Sequence, residues 1–83
     1  MEGLYSMQTL LEAMDWLESK GVRIAIRFRT QIYDGKKANY WYYEILTPEH
    51  KMILEYDESG VVVMYTNRNE CMNEAIKKGV ELL

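Results

Sequence analysis

This 83-residue chain lacks the residues that cross-link a small domain or hold a metal. It has a single cysteine, Cys71, and a single histidine, His50. One cysteine cannot form an internal disulfide, and one Cys with one His cannot supply the four protein ligands of a structural zinc site. We therefore expect a protein of the reducing cytoplasm that has no metal and no cofactor.

Long apolar runs and an excess of positive charge are also missing. No stretch approaches the roughly 18 apolar residues that a membrane span requires, and the first residues lack a basic segment followed by an apolar core, so we expect a soluble, unprocessed chain with no membrane partner. The formal charge of −3 argues against a surface that binds nucleic acid over its whole extent. Only a local basic patch is left as a candidate.

Proline and glycine are scarce, with one and five copies, whereas hydrophobic residues make up 48% of the chain. That hydrophobic fraction is enough for a single core, and 83 residues leave no room for a second one. No internal repeat, low-complexity tract or linker is present. We predict a single domain over residues 1–83.

Amphipathic patterns predict a helix near each end of the chain. The first helix should begin near Ser6 or Thr9 and stop at Gly21, a natural left-handed terminator. Its predicted core stripe comprises Met7, Leu10, Leu11, Met14 and Leu17. The second helix should follow the capping segment 67–70 and run to the end of the chain. Its predicted inward residues are Cys71, Met72, Ala75, Ile76, Gly79, Val80, Leu82 and Leu83.

Four strands are predicted between the helices, at about residues 22–30, 39–46, 51–57 and 61–66. Their turns are taken as a two-residue Asp34-Gly35 turn, a four-residue turn over 47–50 and a two-residue Glu58-Ser59 turn. With these lengths Phe28 faces Trp41, Ile45 lies beside Met52, and Tyr56 lies beside Val61. The apolar side chains then share one face, which the helices must cover. The prediction is an α+β fold, a two-layer α-β-β-β-β-α sandwich in which an antiparallel four-stranded meander carries both helices on one face.

The other face of this predicted sheet combines arginines with tyrosines. Its candidate residues are Arg23, Arg27, Arg29, Tyr40 and Tyr42. Such side chains can stack on unpaired bases and contact phosphates, so single-stranded RNA or DNA binding is one functional hypothesis. The predicted register also aligns Arg27, Tyr42 and Glu55 across three strands, which favours a solvated cross-strand ladder over nucleic-acid binding or a partner surface.

The fourth predicted strand has no charged residue over 61–66, although a meander would place it at the edge of the sheet. Edge strands normally carry charge, proline or a bulge that prevents strand addition. The strand is therefore central, covered by the second helix, or paired with another copy. We favour a non-enzymatic interaction module that forms a homodimer through this sheet edge or through the helix-free face of the sheet. Its candidate self-association residues are Ile53, Val62, Met64 and Tyr65.

Trp16 falls opposite the core stripe of the first helix. It is a possible contact for an unidentified protein partner, because tryptophan is enriched at binding hot spots, or it is covered by a neighbouring loop or by the segment Leu4-Tyr5. Cys71 and His50 should lie at the same end of the sheet, where a helix N-terminus would lower a thiol pKa. Because Cys71 projects toward the core stripe and lacks an orienting acid, we read it as a packing residue and expect no enzyme.

Two segments carry a family resemblance. The tail from Asn67 to Lys78, ending in Glu81-Leu82-Leu83, and the opening from Met7 to Leu17 resemble small proteins encoded by phages and mobile elements of gut bacteria. That resemblance implies no particular activity. The order of helix, sheet and final helix is also similar to that of double-stranded RNA-binding domains. The chain departs from that family in having four predicted strands instead of three, and only Arg68 instead of a basic cluster before Glu70.

Overall fold

The computed structural model describes residues 7–83 and has an α+β architecture. The elements are α1 (Met7–Ser19), β1 (Arg23–Tyr33), β2 (Lys36–Leu46), β3 (Met52–Leu54) and α2 (Arg68–Glu81). The strands form one antiparallel sheet in the order β1-β2-β3. The predicted α+β class is confirmed. The predicted fourth strand does not form within these residues, because 61–66 makes only two isolated bridges.

Helix α1 ends where the glycine signal predicts. Gly21 adopts a φ of +88°, and the amides of Gly21 and Val22 donate to the carbonyls of Glu18 at 2.9 Å and Leu17 at 3.0 Å. This is a Schellman cap, which satisfies two carbonyls at the helix end. Leu17 is fully buried as predicted, but Leu11 is 44% exposed and does not belong to the core. The alternative start at Ser6 and the side chain of Met7 lie outside the described part.

Helix α2 begins at its predicted cap, because the Asn67 side chain accepts a 2.9 Å hydrogen bond from the Glu70 amide. The prediction that the helix runs to the chain end is wrong, since it stops at Glu81. Among the predicted inward residues, Cys71, Met72, Ala75 and Gly79 are buried and Ile76 is half-buried. Val80, Leu82 and Leu83 are exposed. The last two lie beyond the helix, where its periodicity no longer applies.

The β1–β2 hairpin has the predicted register. Phe28 faces Trp41, Ile26 faces Tyr43 and Ile24 faces Ile45. Asp34 and Gly35 form the two-residue turn with φ values of +51° and +76°. Positive φ at both positions is the type I′ geometry whose twist matches that of the flanking strands.

The predicted register of β3 is wrong by one residue. Ile45 pairs with Ile53 rather than with Met52, because the loop closes on a Thr47–Lys51 pair and contains three residues instead of four. His50, the third loop residue, takes a φ of +65°. A one-residue slip exchanges the two faces of a strand, so Ile53 packs against the core and Met52 is 54% exposed.

The loop after β3 also contains three residues instead of two. Asp57 N donates to Val61 O at 2.8 Å, and Gly60, the third loop residue, has a φ of +81°. The Asp57 carboxylate accepts from the amides of Ser59 and Val61 and holds this loop closed. Tyr56 consequently bridges to Val62 rather than to the predicted Val61.

One buried cluster joins the helices to the first two strands. It contains Leu17, Val22, Tyr43, Ile45, Cys71 and Ala75. Ile24, Ile26, Trp41, Ile53, Tyr65 and Ile76 pack around it. These residues lie toward the open end of the hairpin, whereas Phe28 and Ile32 on the same face are 57% and 66% exposed. The distal hairpin, residues 28–41, therefore extends beyond the core.

The molecular dimensions agree with a projecting hairpin. The radius of gyration is 13.6 Å and the longest extent is 43 Å. A compact domain of this length would have a radius of gyration of about 12 Å. The excess places part of the chain away from the core, where it can contact another molecule.

Candidate functional site

The outer edge of β1 is the longest unpaired strand edge in the described part of the chain. Within residues 7–83, β1 pairs only with β2, and no bridge reaches its other side. Trp41 exchanges two 2.8 Å backbone hydrogen bonds with Tyr65, so its pair with Phe28 is of the non-hydrogen-bonded type. The N–H and C=O of Phe28 therefore point away from β2 and toward the free edge.

Alternate residues of β1 share this orientation. Outward backbone groups thus belong to Ile24, Ile26, Phe28, Thr30 and Ile32. Ile24 and Ile26 are half-buried against the core, whereas Phe28, Thr30 and Ile32 are exposed. The accessible part of the edge therefore lies in the distal hairpin, where unpaired backbone groups and exposed side chains occur together.

Large apolar side chains surround this part of the edge. Phe28 packs its ring edge-to-face on Trp41 with a centroid distance of 5.4 Å, yet remains 57% exposed. Tyr33, on the opposite face near the turn, is 57% exposed and its hydroxyl donates to Gln31. An exposed, long and apolar strand edge is the feature that soluble proteins usually avoid unless it binds something.

The arginine face predicted from the sequence is only partly free to bind an anion. Arg27 Nε donates to Glu44 Oε1 at 2.9 Å, and this carboxylate raises the Arg27 pKa. Arg23 Nε lies 3.9 Å from Glu18 Oε2. Arg29 stands opposite Tyr40 and has no carboxylate partner among the described residues. Of the three arginines, Arg27 is thus paired closely with a carboxylate, while Arg23 has only a long, exposed contact.

The predicted alignment of Arg27, Tyr42 and Glu55 across three strands is wrong. Arg27 does face Tyr42, but the register slip moves Glu55 to the other side of the sheet, where it accepts a hydrogen bond of 2.5 Å from the Tyr65 hydroxyl. Burial and the Glu55 carboxylate raise the pKa of Tyr65. Burial, followed by the charge of Glu55, also raises the pKa of Tyr43. These phenols are neutral and structural at physiological pH.

The predicted self-association residues do not form a continuous edge. Ile53 packs against the core, and Tyr65 is tied to Trp41 through the backbone and to Glu55 through its hydroxyl. Val62 and Met64 are half-buried and line a shallow groove together with Tyr33 and Tyr40. The segment 61–66 therefore returns to β2 and does not lie outside β3 as an edge strand.

Trp16 occupies the exposed side of α1, as its position on the helix predicts. It is 50% exposed, and the Lys20 ammonium lies 5.7 Å from the ring centroid. This distance is within the range of a weak cation–π contact. The proposed cover from Leu4-Tyr5 falls outside the described residues. Trp16 is thus a second exposed aromatic surface, remote in sequence from the distal hairpin.

Cys71 has the surroundings of a packing residue. Its side chain is fully buried in the core cluster, and burial followed by the charge of Glu55 raises its thiol pKa to about 12. His50 lies exposed in the turn between β2 and β3. Nothing in this arrangement activates a thiolate nucleophile.

Residues 7–83 also lack a metal site and a membrane-spanning helix. No group of three or more His, Cys, Asp or Glu side chains there could hold a metal ion. Neither described helix has the length and apolar content needed to cross a membrane. An open groove runs between α1 and α2 past Leu10, Ile76 and Val80.

The free edge was predicted at the fourth strand, whereas the structure has an unpaired edge at β1. A meander has two edges, and the first strand is always one of them, so the signal was present. Arginines at alternate positions of β1 resemble protective edge charges, but they all lie on one face. The other face presents Phe28, which the alternating pattern assigns to the core, and Ile32, which lies beyond the predicted end of this strand at about residue 30.

Comparison with known proteins adds no assignment, since no family model, curated protein or solved structure matches this chain. The order of elements is α-β-β-β-α, so the number of strands is the same as in the double-stranded RNA-binding domains and not four as predicted. The other departure stands, since Arg68 is followed by Glu70 at the start of α2. Shared element order does not imply a shared function.

Proposed function

We propose that this protein is a small non-enzymatic interaction module that associates with a second copy of itself through the free edge of β1. The observation that carries this proposal is the unpaired outer edge of an 11-residue strand, flanked by exposed Phe28, Ile32 and Tyr33. Strand addition would satisfy the outward backbone groups and remove these side chains from water. No cofactor or catalytic group takes part.

The sheet edge is a better interface than the residues predicted on 61–66. Backbone groups of Val61, Val63 and Tyr65 already bond to Asp57, Glu55 and Trp41. A partner strand would have to displace these bonds or pair with the short opposite side of an irregular segment. At β1 no existing backbone bond has to break.

A further part of the proposal is that both helices cover one face of the sheet. Leu17 of α1 and Ala75 of α2 belong to the same buried cluster as Tyr43 and Ile45 of β2. This arrangement supports a two-layer sandwich, in which the edge of β1 is the accessible margin.

The decisive measurement is the solution mass of the protein across a dilution series, by light scattering on a sizing column. We expect a mass of twice the 9.9 kDa chain at high concentration and a shift toward one chain on dilution. Ile32→Lys, which places a charge on the exposed edge, should shift this equilibrium toward the single chain by about tenfold in Kd or more. Val61→Lys, at a similarly exposed position on 61–66, is the matched control and should leave it unchanged.

Three outcomes contradict the proposal. A mass of one chain at every concentration would reject self-association. Dissociation by Val61→Lys but not by Ile32→Lys would move the contact to the surface predicted from the sequence. An unaltered dimer in both variants would exclude both surfaces.

Single-stranded nucleic-acid binding by the arginine and tyrosine face is the second candidate function. One observation favours it: Arg29 has no carboxylate partner in the described part and stands opposite Tyr40, so a phosphate and a base could be held side by side. Neutralisation of Arg27 by Glu44 makes the interface small. We rank it below self-association. Titration with a single-stranded oligonucleotide tests it, and affinity that does not change with salt would reject it.

A further inference from the structure

We propose that two copies pair their β1 strands antiparallel about a two-fold axis at Thr30, so that Phe28 of each copy faces Ile32 of the other. This inference rests on the self-association proposed above and adds its register. When two identical strands pair antiparallel about a two-fold axis, the residue numbers of each facing pair add up to twice the number of the residue on the axis. Only a few residues of the exposed edge can lie on that axis. The charges on β1 discriminate among them.

Three arginines exclude most registers. An axis at 27 or at 29 puts an arginine directly opposite its own copy. An axis at 28 puts Arg27 opposite Arg29, an axis at 25 puts Arg23 opposite Arg27, and an axis at 26 puts Arg23 opposite Arg29. Like charges that face each other across strands are destabilising. Only axes at 30 or beyond avoid arginine pairs within the exposed edge.

Among these registers, the axis at Thr30 gives the longest overlap, with residues 27–33 of each strand. The outward backbone groups of Phe28, Thr30 and Ile32 then form three hydrogen-bonded pairs, or about six hydrogen bonds. An axis at 31 shortens the overlap to residues 29–33. The Thr30 register is therefore the one that combines the most backbone pairing with no arginine clash.

The side chains in this register are complementary on both faces. On the face that carries the core, Phe28 packs on Ile32 of the second copy and Thr30 meets its own counterpart. On the opposite face, Arg29 faces Gln31 and Arg27 faces Tyr33 of the second copy. The amide oxygen of Gln31 can accept from the Arg29 guanidinium, and the Tyr33 ring offers its face to Arg27. The exposed apolar side chains of β1 are thereby covered by the second copy in the same contact.

Disulfide trapping tests the register directly. Directly opposed hydrogen-bonded residues have Cα atoms about 5.5 Å apart, which a disulfide can span. We expect Thr30→Cys to form a linked dimer with oxidised glutathione under native conditions. Phe28→Cys and Ile32→Cys should each stay unlinked alone, since a four-residue offset separates like positions by about 13 Å, and should link when mixed. The unmodified protein is the control, because Cys71 is fully buried.

Introducing a negative or a positive charge at the same position gives a second readout that does not depend on cysteine chemistry. Gln31→Glu places a carboxylate opposite Arg29 of the second copy and should lower the Kd of the dimer by about threefold or more. Gln31→Arg places like charges there and should raise it by a similar factor. Opposite signs require an arginine opposite Gln31, and an axis at 28 would put Ala25 there. Axes at 27 and 29 would put Arg23 and Arg27 there, so trapping by Thr30→Cys is what separates these axes from the one at Thr30.

The outcomes separate the register from the self-association on which it rests. A single-chain mass for the unmodified protein rejects both. A concentration-dependent dimer that Ile32→Lys dissociates, but that Thr30→Cys does not trap, rejects the register and keeps the edge. Linkage of Phe28→Cys alone assigns the axis to 28 and overturns the register. Trapping by Thr30→Cys, linkage of the mixed variants and opposite effects at Gln31 together support it.

Discussion

At the scale of single residues, the state of Cys71 shows how burial overrides a favourable helix position. Cys71 lies in the first turn of α2, where the helix dipole stabilises a thiolate. Its side chain is nevertheless fully buried beside apolar residues, and the Glu55 carboxylate adds a negative charge nearby. Both effects disfavour the thiolate and raise the thiol pKa to about 12. The thiol is therefore a neutral packing group.

This raised pKa predicts a loss of stability at alkaline pH. Between about pH 9 and about pH 12 the unfolded chain has released the thiol proton while the folded protein retains it. Unfolding therefore becomes more favourable as the pH rises, and the free energy of unfolding should fall by up to about 1.4 kcal/mol per pH unit from this group. Urea unfolding between about pH 9 and about pH 10 measures this slope. Tyr43 and Tyr65, whose pKa values are also raised from 10.0, add to it in the same direction as the pH approaches 10, so the share of Cys71 is the difference from a variant without the thiol.

Cys71→Ala is the control for the alkaline slope. It should lose about 1–2 kcal/mol at neutral pH because it removes a buried sulfur, yet its stability should fall less steeply above pH 9. Equal slopes in the two proteins would mean that Cys71 ionises freely in the folded state. Rapid native-state labelling of Cys71 by a thiol reagent would contradict the prediction in the same way.

At the scale of secondary-structure elements, loop length decides which face of each strand reaches the core. The Asp34-Gly35 turn has a strong local signal, and its register was predicted correctly. Both later loops contain three residues, and a left-handed third residue closes each of them. Gly60 is suited to that conformation, but His50 is not a typical residue for it. The turn at 47–50 could therefore not be read from propensity, and its miscounted residue exchanged the predicted faces of β3. The second miscount reversed that exchange, so Tyr65 lies on the core side as predicted.

The cap of α1 provides a prediction about element packing. Gly21 and Gly35 both have positive φ, but a Cβ on Gly21 would lie 3.1 Å from Pro48 Cγ, whereas a Cβ on Gly35 would have no neighbour within 4 Å. We expect Gly35→Ala to lower the free energy of unfolding by about 1 kcal/mol through backbone strain alone. Gly21→Ala should cost about 2 kcal/mol or more, because the turn carrying Pro48 must also move. Urea unfolding of both variants measures the difference.

A double variant identifies the source of that difference. Gly21→Ala combined with Pro48→Ala should recover part of the extra loss, since the shorter side chain leaves room for the new Cβ. Equal losses in Gly21→Ala and Gly35→Ala would show that the helix end and the β2–β3 turn are not in close contact.

At the scale of the whole molecule, the buried cluster lies at the open end of a hairpin that continues past it. The backbone of β1 therefore has one side bonded to β2 and one side open along its distal half. A strand of this kind either exchanges its outward amides with water or pairs with another molecule. Because alternate amides of β1 point to the open side, hydrogen exchange of single amides can report on the association.

Amide hydrogen exchange should show an alternating pattern along β1. In dilute protein, the amides of Arg27, Arg29 and Gln31 should exchange slowly because they bond to β2, while those of Phe28, Thr30 and Ile32 should exchange quickly. At concentrations where the dimer forms, the second group should become protected. Ile32→Lys is the control, in which the alternation should persist at every concentration. Slow exchange of Phe28, Thr30 and Ile32 in dilute protein would contradict an open edge.

The sequence by itself determined the local features of this protein. The glycine stop of α1, the Asn67 cap of α2 and the register of the first hairpin each depend on residues close together in the chain, so neighbouring side chains and backbone geometry are sufficient. The exclusion of a disulfide framework follows from composition in the same way. These features were predicted because few alternative conformations satisfy them.

Only the tertiary structure decided how residues 47–66 pack and which strand edge stays open. Tyr65 bonds to Trp41, 24 positions earlier in the chain, and this contact replaces the predicted outer strand. Its stability depends on Glu55, Tyr43 and the helix residues that surround it, which no local pattern brings together. The edge of β1 became the candidate site for the same reason, because only the placement of residues 7–83 shows that none of them pairs with it.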